Sequence, residues 1–136
     1  MNFKLFNCFS VSLFFLVSCG VKHISVKDYI KNTDSASIAF YDEGDYTTQI
    51  IIHDKATIKK LADYMDGKSI EPPKCTDNGS IWFYENGKKK MQVDFRLDAE
   101  CNFFLYMMND KIFSKSMCED ANKYLRSVKD IALGSL

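Results

Sequence analysis

The chain has 136 residues, of which 46% are hydrophobic and 26% are charged, and its 18 basic and 18 acidic residues give a formal net charge of zero. This length corresponds to one domain, and the apolar content excludes an intrinsically disordered chain. The balanced charge argues against nucleic acid as a partner, because a nucleic-acid-binding protein needs a surplus of basic residues to neutralise phosphates.

The first segment, residues 1–17, carries a single charge, at Lys4, and is rich in Phe, Leu and Val. Its longest apolar stretch, residues 8–17, is half the roughly 20 residues that a membrane-spanning helix needs. It matches the roughly 7–15 residues of a signal-peptide core. The alternative is a buried N-terminal helix, which the abrupt polar composition from Lys22 onward disfavours. We therefore expect a signal peptide.

The motif Leu16-Val17-Ser18-Cys19 follows this stretch and resembles the lipobox of bacterial lipoproteins. The resemblance covers the first twenty residues. It implies that residues 1–18 are removed as a signal peptide, that Cys19 carries a diacylglyceryl group, and that the new amino terminus is acylated. Two or three acyl chains anchor a protein stably, whereas one does not. The resemblance thus implies a lipid-anchored protein of the cell envelope, and Gly20 in place of Asp favours the outer membrane.

After processing, we expect a lipidated Cys19 with a polar tether, residues 19–36, and then one domain, residues 37–136. Within the tether, Ser25 is placed to cap one or two turns of helix ending near Ile30. Three cysteines remain in the domain, and the oxidising compartment permits disulfides.

The first half of the domain predicts a hairpin followed by a helix. Residues 37–41 and 46–53 are rich in β-branched and aromatic residues, which is typical of strands. Asp54 is a helix N-cap, and Gly67 is expected to end the helix. The apolar face of that helix consists of Ile58, Leu61, Ala62 and Met65.

A second hairpin is predicted from residues 80–85 and 88–97. A two-residue Asn86-Gly87 turn would pair Ile81 with Gln92 and so mix apolar and polar side chains on one face. A three-residue loop that includes Glu85 instead places the apolar residues together. We therefore expect the three-residue loop, with one face formed by Ile81, Phe83, Met91, Val93 and Phe95.

Two further strands, residues 101–108 and 111–114, precede a closing helix that a capping box at Ser116 and Glu119 introduces. The apolar face of this helix comprises Met117, Ala121, Tyr124, Leu125 and Val128. The order ββαββββα predicts an α+β fold, an antiparallel sheet of about six strands with helices packed on one face.

The three cysteines of the domain fall at the same end of the predicted sheet. Cys75 and Cys101 lie in or beside loops and are the favoured disulfide, although the other pairings remain open. Cys118 is then a thiol that is either activated by the helix N-terminus or buried on the helix face. A three-cysteine metal site is disfavoured because no fourth ligand is evident.

Catalytic signals are weak. His23 lies in the tether and His53 ends a strand, and neither has a nucleophile at a suggestive spacing. No phosphate-binding loop, zinc motif or nucleophile elbow is present. We therefore expect no catalytic residues, no metal and no cofactor, with an enzyme acting through Cys118 or His53 as the weakest alternative.

A binding surface is predicted on the sheet face opposite the core. The residues expected there include Trp82, Tyr84, Arg96, Phe104 and Tyr106, and aromatic residues and Arg dominate protein interfaces. Coverage of this face by a second layer is the competing interpretation. The leading functional hypothesis is a small envelope protein that binds an envelope or secreted protein, as an inhibitor, immunity protein or accessory subunit. The alternative is a carrier or sensor with a ligand pocket between sheet and helices.

Overall fold

A six-stranded sheet and three helices form the part of the chain that the computed structural model describes, residues 24–42 and 45–134. In chain order the elements are α1 (Val26–Tyr29), β1 (Ser35–Asp42), β2 (Asp45–Ile52), α2 (Lys55–Tyr64), β3 (Gly79–Glu85), β4 (Lys88–Leu97), β5 (Asn102–Met108), β6 (Lys111–Ser116) and α3 (Glu119–Gly134). The predicted α+β class is confirmed. The expected signal peptide, Cys19 and His23 lie outside the described residues.

All neighbouring strands are antiparallel, in the spatial order β2-β1-β3-β4-β5-β6. The chain leaves the first hairpin at the edge strand β2, passes through α2, and returns to place β3 beside β1. The last four strands are consecutive in sequence and in space, so they form an up-and-down meander. An antiparallel sheet of this kind requires burial of only one face.

The core lies between one face of the sheet and all three helices. Along β4, Met91, Val93, Phe95 and Leu97 are buried while the residues between them are half-buried or exposed. Each helix contributes its apolar face to the same cluster, through Val26, Ile30, Ile58, Leu61, Ala62, Ala121, Leu125 and Val128. Full burial of one such aliphatic side chain contributes about 1.5–3 kcal/mol. All three helices therefore lie on the same side of the sheet, where their apolar faces are buried against its apolar face.

The short helix α1 confirms the predicted cap. The Ser25 hydroxyl accepts a hydrogen bond from the backbone N–H of Asp28 at 3.1 Å. Val26 and Ile30 are 1% and 4% exposed and belong to the core cluster. Packed structure therefore begins before residue 37, within the stretch that its polar composition suggested was a tether.

The hairpin of β3 and β4 has the predicted faces but not the predicted turn. Glu85 pairs with Lys88 across a two-residue turn, in which Asn86 and Gly87 both have positive φ. The extra residue sits further along as a bulge, because Tyr84 pairs with Lys89 whereas Phe83 pairs with Met91. The bulge restores the register that buries the apolar face. The side chain of the bulged residue, Lys90, lies over the ring of Tyr29 in α1 at 5.0 Å.

Two glycines are required by close packing. A Cβ at Gly79 would meet the Phe95 ring at 2.2 Å, where Phe95 packs edge-to-face on Phe40. A Cβ at Gly67 would lie 2.2 Å from the Ser116 carbonyl oxygen. Gly67 was predicted to end α2, but that helix ends at Tyr64 with Met65 as its C-cap. Contact with the neighbouring strand thus explains the glycine.

The start of α3 also differs from the prediction. The helix begins at Glu119, and Ser116, expected as its cap, is the last residue of β6. The backbone N–H of Ser116 donates to the Lys68 carbonyl at 2.8 Å. Ser116 is therefore held by the segment that follows α2, and the capping pattern in the sequence is coincidental.

That segment, residues 66–78, runs from the β6 edge to the start of β3. The Ile70 N–H donates to the Ser114 carbonyl, and Ser69 forms a bridge with Lys115. Further along, Asn78 donates through its N–H to the Phe95 carbonyl and accepts from the N–H of Leu97 through its side chain. We call residues 66–78 the connecting segment. It crosses one end of the sheet and partly shields edge strand β6.

Candidate functional site: the open face of the sheet

The sheet face opposite the helices is the candidate site, and we call it the open face. Side chains on it alternate with core side chains along each strand. The members that face away from the core are Ser37, Ala39, Tyr41, Gln49, Ile51, Ser80, Trp82, Tyr84, Gln92, Asp94, Arg96, Phe103, Leu105, Met107, Ile112 and Ser114, of which Ser37, Ala39, Ser80, Phe103 and Ser114 are buried. The described helices lie on the other side of the sheet, since their buried residues, apart from Ala132 near the end of α3, belong to the core cluster.

Phe104 and Tyr106 do not lie on the open face, so their predicted place in a binding surface is wrong. Phe104 pairs with Phe95 and Tyr106 pairs with Val93, and both are in the core at 1% and 5% exposure. The run from residue 103 to 108 is apolar at every position, so it has no alternation from which its faces could be predicted. Pairing with β4 alone decides the faces, and it turns the even-numbered residues inward.

Arg96 lies on the open face but is already engaged. Its Nε donates to Asp98 Oδ2 at 2.5 Å, and its Nη1 donates to the Thr76 carbonyl at 2.5 Å. A second guanidinium nitrogen makes an ion pair with Asp98. Arg96 therefore fastens the connecting segment to β4, and its predicted part in a binding surface stays a prediction.

Cys75 and Cys101 hold the same segment. Their sulfurs lie at disulfide distance, and their Cα atoms are 6.8 Å apart. The favoured pairing is thus the one that the fold brings together. Cys118 is a free thiol and is exposed, so the interpretation that it is buried on the helix face is wrong. The helix register explains this outcome, because Cys118 precedes the first residue of α3.

A chain of polar side chains crosses the centre of the open face. The Tyr41 hydroxyl donates to Ser80 Oγ at 2.8 Å, and Ser80 Oγ donates to Asp94 Oδ1 at 2.5 Å. Gln92 Nε2 donates to the same oxygen at 2.9 Å, and Gln92 Oε1 accepts from Lys89 Nζ at 3.2 Å. The carboxylate of Asp94 therefore has two donors, and the chain fixes side-chain positions across three strands.

Trp82 and Tyr84 do lie on the open face, as predicted. Both are half-buried. Trp82 is flanked in register by Ser37 on β1 and Gln92 on β4. Tyr84 is flanked by Ser35 and Lys89. Polar residues therefore flank both aromatic side chains near the middle of the sheet.

An apolar patch at the β5–β6 side of the open face was not predicted. Met107 is 58% exposed and Ile112 is 66% exposed, and the two are paired in register. Leu105, half-buried, adjoins them. With Gln92 and Asp94 they line a shallow depression of about 300 Å³. We call Leu105, Met107 and Ile112 the apolar patch. No sequence signal identified this patch, because its position depends on the pairing of β5 with β4, which also places Phe104 in the core.

Signs of catalytic chemistry are sparse across the described ranges. His53 is exposed at the end of β2, directly before the cap of α2. No group of three or more His, Cys, Asp or Glu side chains that could hold a metal ion occurs among the described residues. Within the same residues, no helix is both long and apolar enough to cross a bilayer.

Comparison with known proteins supplies no relative. No family model, curated protein or solved structure matches this chain.

Proposed function

We propose that this chain is a lipid-anchored protein of the bacterial cell envelope that binds a protein partner through the open face of its sheet. The observation that carries the binding role is the apolar patch, two of whose members are more than half exposed, on a face that the described helices leave uncovered. Contiguous exposed apolar surface rimmed by polar groups is typical of protein interaction sites.

The composition of the open face favours a protein over a small molecule. Met and aromatic residues are enriched at protein interfaces, and Trp82, Tyr84 and Met107 supply both kinds of side chain. The depression beside the patch is shallow, whereas small-molecule sites enclose most of the ligand. The hydrogen-bonded chain through Ser80 and Asp94 is held in place before a partner arrives, which lowers the entropic cost of binding.

The anchoring role is supported by the lipobox-like motif that ends at Cys19. In this proposal the partner lies in the envelope or is secreted into it, and the protein acts as an inhibitor, an immunity protein or an accessory subunit.

Site-specific photo-crosslinking in the producing bacterium tests the binding role. A photoreactive residue at Ile112, in the apolar patch, is expected to yield a discrete crosslinked protein. The matched control is the same residue at Leu133 on α3, which is 46% exposed and lies outside the open face. The crosslinked product should disappear when Met107→Lys is added. Equal products from Ile112 and Leu133, or no product from either, would contradict a partner on the open face.

Metabolic labelling with an alkyne-bearing fatty acid tests the anchor separately. The wild-type chain should incorporate the label and fractionate with membranes, and Cys19→Ser should abolish both. Cys118→Ser is the matched control, because Cys118 is an exposed thiol outside the motif, and it should label normally. Labelling that survives Cys19→Ser would overturn the lipidation proposal without bearing on the open face.

A further inference from the structure

A pocket between α1 and α2 combines an apolar floor with a ring of positive charge. Its volume is about 260 Å³. Ile30, Ile58 and Ala62 provide the floor, and all three are core residues with 4% exposure or less. The pocket lies on the helix side of the sheet, so it is separate from the open face.

Four lysines surround this floor: Lys27 and Lys31 from α1 and the turn after it, and Lys55 and Lys59 from α2. Lys27 is partly neutralised, because it pairs with Asp63 at 2.5 Å. The other three make no ion pair with any described residue. Lys55 and Lys59 are four residues apart on one helix, a spacing at which like charges repel. A chain with no net charge thus concentrates unpaired positive charge at one pocket.

A buried hydroxyl in the pocket wall also lacks a partner. Thr33 is 5% exposed and lines the pocket. Its backbone N–H donates to the Ile30 carbonyl at 2.9 Å, but its Oγ1 has no hydrogen-bond partner among the described residues. A buried hydroxyl without a partner is unfavourable, and an oxygen of a bound molecule could accept its hydrogen bond.

We propose that this pocket binds a small amphipathic anion, a single hydrocarbon chain that ends in a carboxylate or a phosphate. The hydrocarbon lies on the Ile30, Ile58 and Ala62 floor, and the aliphatic stems of the lysines extend that apolar surface. The anionic group lies among the ammonium groups of Lys31, Lys55 and Lys59. The volume is below the roughly 300–1,000 Å³ of sites for drug-sized ligands, so the pocket accommodates one short hydrocarbon chain, either of a free acid or of a membrane lipid, and not both chains of a phospholipid together.

This proposal does not depend on the proposed partner or on lipidation of Cys19. The same chemistry has two sources, a free fatty acid and the anionic lipids of a membrane. Among the described elements, α1 comes first after Cys19 in the chain, so a lipid anchor at Cys19 would hold the pocket near a membrane surface. The experiment therefore uses a probe for each.

Equilibrium dialysis of the full chain with decanoate tests the free-acid source, and decanol, which has the same chain without the charge, is the ligand control. Sedimentation with vesicles of phosphatidylcholine and phosphatidylglycerol (3:1), compared with pure phosphatidylcholine, tests the membrane source. We expect decanoate to bind at least tenfold more tightly than decanol, and added salt to weaken it. Binding confined to the anionic vesicles would also support the pocket and would identify membrane lipid as the source.

Matched variants test whether the anion binds in this pocket. The triple variant Lys31→Gln, Lys55→Gln, Lys59→Gln should lose at least tenfold in affinity. The control Lys74→Gln, Lys88→Gln, Lys111→Gln removes the same charge from exposed lysines elsewhere and should stay within twofold of wild type. Thr33→Val should weaken binding while the melting temperature is unchanged or raised. Equal loss in both triple variants, equal binding of decanol, or no binding to either probe would overturn the proposal.

Discussion

Two of the buried serines on the open face, Ser80 and Ser114, differ in whether their hydroxyls have partners. Ser80 is 1% exposed and bonds to Tyr41 and Asp94. Ser114 is 8% exposed, and its Oγ has no partner among the described residues. Ser80→Ala removes the link between two other polar groups and should lower the free energy of unfolding by about 1–3 kcal/mol. Ser114→Ala should leave it unchanged or raise it by up to about 1 kcal/mol.

Urea unfolding of the two variants measures this difference directly, and each serves as the other's control because both exchange one buried serine for alanine. A loss at Ser114 as large as that at Ser80 would show that the hydroxyl of Ser114 has a partner in solution. The interpretation of Thr33, whose Oγ1 is also unpartnered, would then need the same revision.

Tyr106 makes the stability of the fold sensitive to high pH. Burial, with a smaller contribution from the negative charge of Asp66, raises the pKa of the Tyr106 phenol to about 12. An unfolded tyrosine ionises near pH 10, so the folded state holds this proton more tightly. The stability from this group is therefore complete below about pH 10 and is lost as the pH rises toward 12. Its hydroxyl points toward the Met65 carbonyl at 3.4 Å.

The matching experiment compares wild type with Tyr106→Phe in urea unfolding at pH 9 and pH 11.5. Lysines and other tyrosines titrate in both proteins, so the difference between them isolates this phenol. The wild-type free energy of unfolding should fall more steeply than that of the variant. Parallel pH profiles would mean that Tyr106 is hydrated in solution and does not occupy the core.

At the scale of elements, two hairpin turns in the meander differ at one position. Both have positive φ at both central residues, Asn86-Gly87 between β3 and β4 and Asn109-Asp110 between β5 and β6. Glycine adopts this conformation without strain, whereas aspartate does not. Asp110→Gly should therefore raise the free energy of unfolding by about 0.5–1 kcal/mol, and Gly87→Asp should lower it by a similar amount.

The space around Gly87 makes this a clean comparison. A Cβ there meets nothing within 4 Å, so steric crowding does not contribute to the effect of Gly87→Asp. Chemical denaturation of the two single variants and of the double variant measures these free energies of unfolding. The double variant should have a free energy of unfolding near that of wild type. Destabilisation by Asp110→Gly would indicate that the aspartate side chain makes a stabilising contact in solution.

The strand faces that were predictable from the sequence are those of strands in which apolar and polar residues alternate. Along β4 the alternation from Met91 to Leu97 predicted the buried face correctly, even though the bulge at Lys90 replaced the expected three-residue loop. In β5 every residue from Phe103 to Met108 is apolar, and its faces could not be predicted. Sequence pattern determines a face only where one side of a strand is polar.

At the scale of the whole molecule, the candidate site depends on contacts between distant parts of the chain. The apolar patch is defined by how β5 pairs with β4 and β6, and Trp82 and Tyr84 could be placed because their strand pairs with β4, in which apolar and polar residues alternate. The location of the charged residues also depends on contacts between distant parts of the chain. The overall balance of 18 basic and 18 acidic residues suggested no basic surface, yet the fold brings Lys31, Lys55 and Lys59 to one pocket. Totals over a chain do not reveal where the charges meet.

The connecting segment is the part of the molecule whose position most depends on long-range ties. Cys75 and Cys101 join it to the start of β5, and Arg96 joins it to β4. A disulfide that closes a loop of this length contributes roughly 3–4 kcal/mol in the chain-entropy model. The double variant Cys75→Ser, Cys101→Ser should therefore unfold at lower urea concentration by that free energy.

Cys118→Ser, which removes the exposed free thiol, is the control and should unfold like wild type. Because Arg96 and the backbone bonds to Ser114 and Ser116 also hold the segment, the double variant should retain the fold. Hydrogen exchange should then become faster in the connecting segment while the helix-facing core stays protected. If protection were instead lost evenly across the sheet, the disulfide would be supporting the whole fold, and the open face could not be studied in its absence.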